Sequence, residues 1–220
     1  ITHMDHQLGR LFAGWMQDGL WDESLVIYTT DHGEQFGDHG DIGKQCFTEA
    51  AARIPFLIKP PRAWGGDRGR TTDALIELAD ILPTLCAAAG ARLPGDLDGR
   101  DLGPLVRGET AAVRDEFHGT IDDSIHCLSD GRLKYVYYVC DGTELLFDRV
   151  ADPDDRHAIR DDARLAAWRE RLWRHLRSEG HAHALDGGVL LNRHTPRPTR
   201  REARSRAAGA IGLNGLLLGM

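Results

Sequence analysis

Residues 28–44 read Tyr-Thr-Thr-Asp-His-Gly-Glu-Gln-Phe-Gly-Asp-His-Gly-Asp-Ile-Gly-Lys, and most of the chain's capacity for chemistry lies there. Asp31 and His32 put an oxygen donor and a nitrogen donor on adjacent residues, a pairing that suits a hard or borderline divalent cation. Lys44 can only donate hydrogen bonds, so it suits an anion held beside that cation. His39 sits among glycines and acids. It is a candidate for a place near a substrate, with a hydrogen bond inside the loop as the plainer alternative. Glu34, Asp38 and Asp41 are read as loop-bracing or solvated acids.

These residues need elements to hold them. Residues 24–30 form a short apolar and β-branched run with no breaker, which predicts a buried strand. Asp31 and His32 then fall at its carboxyl end, where open α/β sheets place their ligand sites. Upstream, Met4, Leu8, Leu11, Phe12 and Trp15 follow helical spacing over residues 1–19, and Asp18-Gly19 ends the helix. Downstream come a helical turn at 46–53, a strand at 54–59 that admits Pro55 only at its start, and a Pro/Gly-rich loop over 60–70. Residues 74–76 fit either a strand or the run after a Thr72-Asp73 cap. Residues 80–90 predict a clearer helix, with Asp80 as N-cap, Pro83 in the first turn and Gly90 past the end. Its core face is assigned to Leu82, Leu85, Cys86 and Ala89.

From residue 115 the texture changes to β runs at 115–120, 125–129, 133–139 and 144–148. Asp-Gly pairs at 130–131 and 141–142 separate three of them, the strongest short-range hairpin signal. About four antiparallel strands are predicted, with an amphipathic helix over 163–179 to cover one face. The domain division is 1–112 for an α/β part carrying the loop, 113–180 for a small antiparallel β subdomain with its helix, and 181–220 for a tail.

With 220 residues, 41% of them apolar, the chain can bury a real core. A formal charge of -7 argues against a nucleic-acid surface. Of 27 basic residues only Lys44, Lys59 and Lys134 are lysine, so a lysine closing the loop stands out. Cys46, Cys86, Cys127 and Cys140 form no CxxC pair and no metal spacing. They read as reduced thiols, with a Cys127–Cys140 bridge left open. No signal peptide or membrane-spanning run is present, and a cytoplasmic location is expected.

Taken together, Asp31-His-Gly-Glu-Gln-Phe-Gly-Asp-His-Gly and Lys44 resemble the second signature of the sulfatases and phosphonate monoester hydrolases, in the alkaline phosphatase superfamily. Further segments resemble that family in the same order. They are Asp5-His-Gln-Leu-Gly9, Ala52-Arg-Ile-Pro-Phe-Leu-Ile58, Leu78-Ala-Asp-Ile-Leu-Pro-Thr-Leu85, Leu97-Asp-Gly-Arg-Asp-Leu102 and Leu146-Phe-Asp-Arg-Val-Ala-Asp-Pro153. Jointly they cover roughly residues 1–160 and are far more specific than any one alone.

The resemblance implies an α/β fold: the C-terminal part of an alkaline-phosphatase-like α/β/α sandwich, plus a small antiparallel sheet with a covering helix. It implies Asp31 and His32 as ligands of one divalent cation (calcium, manganese, magnesium or zinc), and Lys44 as a contact to the substrate anion and leaving group. The implied substrate is a small-molecule sulfate, phosphonate or phosphate ester. The family's nucleophile is a Cys or Ser in a Cys/Ser-x-Pro/Ala-x-Arg motif, matured to formylglycine. None of the four cysteines here has that context, so the nucleophile is expected outside these residues, and this chain alone is expected to be inactive. Two alternatives stand beside this: a phosphodiesterase or phosphotransferase of the same superfamily with a Ser/Thr nucleophile, and a non-catalytic truncated remnant. Glu49 and Arg53 are assigned a local structural pair. His118, His126 and the His181/His183 pair are assigned core or surface places.

Overall fold

In the computed structural model the run before the loop is a strand, β1 (Val26–Thr29), reached through helix α1 (Thr2–Gln17). The structure describes residues 1–65, 69–93, 95, 97–122 and 124–178, together with the backbone of 185–186 and 189–190. The tail and the His181/His183 pair otherwise lie outside the described residues. The chain divides into two compact units. One comprises residues 1–119, 127–135 and 146–159; the other comprises 120–126, 136–145 and the chain from 160 onward.

In the first unit, α1 ends at Asp18, and Gly19 takes a left-handed φ of 71° that a side chain would resist. Phe12 packs at 5.1 Å between ring centroids on Trp21, whose other partner is Lys59, 4.9 Å above the ring. Lys59 also donates to the Ser24 carbonyl at 2.8 Å, fastening the start of β1 to β4 (Phe56–Lys59). β1 and β4 pair antiparallel in the register Val26↔Lys59 to Thr29↔Phe56. Pro55 stands just before β4, as its missing N–H requires.

Three expectations change here. β1 is half-buried rather than buried, with Tyr28 exposed, because β4 is its only neighbour among the described residues. Helix α3 (Ile81–Ala88) exposes Leu82 and Leu85 and buries Pro83 and Thr84. Asp80 stands at the N-cap position of this helix, but its side chain makes no cap bond to it. Its carboxylate turns away, accepts the Glu77 and Arg100 backbone N–H groups at 2.7 Å each and grips Arg114 at 2.5 and 2.7 Å. The Thr84 hydroxyl takes the Asp80 carbonyl at 2.6 Å and receives the Leu102 N–H at 2.9 Å. The 97–102 segment is thereby pinned across α3, ahead of α4 (Gly103–Arg107).

The short hairpin β2 (Gln35–Phe36) and β3 (Ile42–Gly43) carries the loop, and α2 (Glu49–Ala52) follows it. A four-stranded sheet has the order β5 (Phe117–Ile121), β6 (Ile125–Ser129), β7 (Leu133–Tyr138), β8 (Thr143–Asp148). Sequential order is what short hairpin turns impose. Gly131 and Gly142, the glycines of the two Asp-Gly turns, both have positive φ, at 89° and 71°. In the second unit α5 (Asp162–Ser178) buries Trp168, Leu172 and Leu176, and Arg169 bonds Glu144 of β8 at 2.6 Å. A two-residue pair, β9 (Leu185–Asp186) with β10 (Val189–Leu190), closes the described chain. No helix among the described residues is long and apolar enough to cross a membrane. All four cysteines are free thiols, so no Cys127–Cys140 bridge forms.

Candidate functional site

The end of β1 delivers Asp31 and His32 to the surface, with the Asp31 side chain 77% exposed and that of His32 33%. Asp31 Oδ1 accepts the His32 backbone N–H at 3.0 Å and the Thr30 hydroxyl at 3.2 Å, which fixes the turn. Desolvation raises the Asp31 pKa, but these hydrogen bonds, and the positive charge of His32 when its ring is protonated, outweigh it and hold the carboxyl below its ordinary value. His32 Nδ1 lies 2.7 Å from the Gly33 carbonyl. A carbonyl can only accept, so Nδ1 carries a proton; the Lys44 ammonium can only donate, so Nε2 meets it with a lone pair. That lone pair faces Asp31 Oδ2 at 3.0 Å and receives the Lys44 ammonium.

Two acceptors facing each other at 3.0 Å repel unless something positive lies between them. Two ligands about 2.2 Å from one cation and at right angles to each other stand about 3.1 Å apart. The Asp31–His32 pair therefore has the chemistry and the bite of two neighbouring metal ligands. No group of three or more His, Cys, Asp or Glu side chains with metal-holding geometry occurs among the described residues. Lys44 occupies the same Nε2 lone pair, so it and a cation compete for it.

The hold on His32 comes from α2. The Gly33 N–H donates to the Ala51 carbonyl at 2.8 Å, and a Cβ on Gly33 would lie 2.0 Å from the Ala50 carbonyl oxygen. Only glycine permits that approach. Thr48, the residue before α2, makes no side-chain cap, because its hydroxyl takes the buried Gln35 amide at 2.8 Å. The α2 terminus is capped from far along the chain: Asp155 Oδ2 accepts the Glu49 N–H at 2.8 Å.

His39 takes a left-handed φ of 55°, and its Nε2 meets the Asp154 carbonyl at 3.1 Å. It lines an open groove of about 630 Å³ with Asp38, Glu49, Arg53, Asp154 and Arg156. Asp31, His32 and Lys44 do not line that groove. Glu49 does not pair locally with Arg53. Its carboxylate binds Lys134 at 2.7 Å and Arg149 at 3.0 and 3.1 Å, while Lys134 also binds Asp155 at 2.5 Å. Burial raises the Glu49 pKa, but Arg149 and Lys134 overcome it and hold the carboxyl below its ordinary value. Beside them, burial pushes the Cys127 thiol up to about 12, so it stays protonated and inert. The sequence signals for this cluster were slight: one of only three lysines, and the Asp-Pro turn before Asp155.

Comparison with known proteins gives a consistent picture. Residues 1–91 match the Sulfatase family model. An arylsulfatase of Clostridium perfringens is 33% identical over 159 residues, which are 70% of this chain and 33% of that one. The multifunctional alkaline phosphatase superfamily protein PehA of Trinickia caryophylli is 33% identical over 189 residues, 76% of this chain and 36% of its own. Among solved structures, a phosphonate monoester hydrolase of Agrobacterium radiobacter superposes with a TM-score of 0.66 at 32% identity. That superposition covers 81% of this chain and 39% of the hydrolase. The chain spans about a third of the length of the curated relatives it matches.

Proposed function

We propose that this chain, which belongs to the sulfatase and phosphonate monoester hydrolase family of the alkaline phosphatase superfamily, supplies cation ligands and an anion-binding lysine to the hydrolysis of sulfuric, phosphonic or phosphoric esters. The observation that carries it is the acceptor pair, Asp31 Oδ2 and His32 Nε2 at 3.0 Å, with Lys44 on the same lone pair. Asp31 and His32 hold a divalent cation together with donors outside this pair. Bound there, the cation polarises a nonbridging ester oxygen and favours an ionised nucleophile. Lys44 donates to the charge that develops on the transferred group or leaving oxygen, a task for a fixed cationic donor. His32 keeps its Nδ1 proton on the Gly33 carbonyl, which leaves Nε2 basic and aimed. The nucleophile, a formylglycine by family resemblance, comes from outside the 220 residues, because none of the four cysteines lies in the required motif.

The test is complementation. The chain alone is expected to turn over neither 4-nitrophenyl sulfate nor a phenylphosphonate monoester. Adding the nucleophile-bearing portion of the Clostridium relative as a separate polypeptide should restore turnover, and Lys44→Ala should lower it about 10²- to 10³-fold. Turnover by the chain alone, or restored turnover indifferent to Lys44→Ala and His32→Ala, would overturn the proposal.

A further inference from the structure

We infer that Asp155, held by Lys134, is a positioning residue for His32, acting through α2. The inference rests on the reading of His32 as a cation ligand. Four observations join end to end within the first unit. Lys134, 4% exposed, holds the fully buried Asp155 carboxylate at 2.5 Å. Asp155 Oδ2 accepts the first N–H of α2, that of Glu49, at 2.8 Å. The Ala51 carbonyl of the same helix accepts the Gly33 N–H at 2.8 Å. Gly33 in turn offers its carbonyl to His32 Nδ1 at 2.7 Å.

Each link removes freedom from the next. A four-residue helix has no internal cooperativity to hold it and takes its position from outside contacts. Thr48 is spent on Gln35, so Asp155 is the side chain that satisfies the leading N–H. With α2 fixed, the Ala51 carbonyl holds the 32–33 peptide through the Gly33 N–H, and the Ala50 carbonyl leaves no room for a side chain at Gly33. The Gly33 carbonyl, on the next peptide, meets His32 Nδ1 at 2.7 Å, so α2 constrains its aim through the Gly33 backbone torsions and favours a proton on Nδ1. A group bonded directly to a ligating histidine, here the Gly33 carbonyl, typically accounts for about 10- to 100-fold in metal affinity, which bounds what Asp155 can do through it. Asp155 adopts φ 56°, a left-handed conformation that Gly, Asn and Asp take more readily than other residues.

The backbone makes the test possible. Asp155→Gly relieves the left-handed strain while removing the carboxylate, and Asp155→Asn keeps an acceptor for the Glu49 N–H. Each is combined with Lys134→Met, so that no buried cation is stranded. Long-range ¹H–¹⁵N spectra of the full chain at pH 8 report which His32 nitrogen bears the proton, and Mn²⁺ alone serves as a paramagnetic probe. The wild-type chain and D155N/K134M should both show Nδ1–H at His32. D155G/K134M should shift the ring toward Nε2–H and need about 10- to 100-fold more Mn²⁺ for the same broadening.

A wild-type tautomer in D155G/K134M, or equal changes in both double variants, would overturn the inference. So would loss of the fold in D155G/K134M, judged by the indole signals of Trp21 packed on Phe12 in the same unit, since Asp155 would then be structural. If the tautomer follows the prediction while Mn²⁺ leaves His32 of the wild type untouched, the positioning role stands and the cation reading falls.

Discussion

Two groups of charges in the first unit are built in opposite ways. Glu49, Lys134 and Asp155 have side chains 10%, 4% and 0% exposed, and their charges meet opposite charges or backbone donors within 2.5–3.1 Å. Asp31 and His32 stand at the surface, and their nearest atoms are two acceptors turned toward each other, with Lys44 the cation beside them. The buried group is nearly closed: one lysine is shared by two carboxylates, and Asp155 Oδ1 is left as a buried oxygen without a hydrogen-bond partner among the described residues. The loop group is open to solvent, and its positive member, Lys44, holds the Nε2 lone pair that a bound cation would take. Where oppositely charged groups complete one another a scaffold results, and where like groups converge a ligand is called for.

The largest expected effect breaks the closed group. Lys134→Ala leaves Asp155 buried without its cation and should cost about 3–5 kcal/mol in urea unfolding. Lys44→Ala at the loop should stay within about 0.5 kcal/mol. Equal costs would erase the distinction between the two groups. Next in size is Gly33→Ala, which forces a Cβ onto the Ala50 carbonyl and joins the two regions. It should cost about 1–3 kcal/mol and also abolish the Mn²⁺ response of His32. Wild-type thermal unfolding in that variant would show that α2 does not set the loop.

A smaller, graded effect comes with acid. The folded pKa values of Glu49 and Asp80 lie below their ordinary values of 4.5 and 3.8. For Asp80, burial again pushes up and Arg114 with two backbone donors pulls down. Carboxyls depressed on folding bind fewer protons in the native state, so stability rises with pH through this range. Their contribution is complete above about pH 4.5 and is lost as pH falls through the folded values. Chemical denaturation midpoints should be level from pH 5 to 7 and drop below pH 4. A midpoint unchanged down to pH 3 would contradict the assigned ion pairs.

Much of this was legible in the sequence, and what was not has a common cause. The order strand, Asp-His, Gly-rich loop, lysine survives intact, as do the Asp-Gly turns at Gly131 and Gly142 and the apolar stripe of α5. These are local signals, fixed by backbone conformation or by a period of a few residues. Asp80 does cap locally, but on the turn before α3, where it accepts the Glu77 N–H, while its other partners, Arg100 and Arg114, lie 20 and 34 residues on. Lys134 meets Glu49 across 85 residues, and Arg149 meets it across 100. No spacing rule reaches that far. Leu82 and Leu85 failed for a different reason: an apolar face in the sequence states a preference for cover, and their neighbours among the described residues do not supply it.

The central claim is that Asp31 and His32 form a cation-binding pair, and adding Mn²⁺ to the full chain tests it most directly. His32 ring signals should broaden before those of His39 and His157, and Asp31→Asn should remove that priority. If His32 broadens no earlier than the other histidines, or does so equally in the Asp31→Asn chain, the pair is not a metal site.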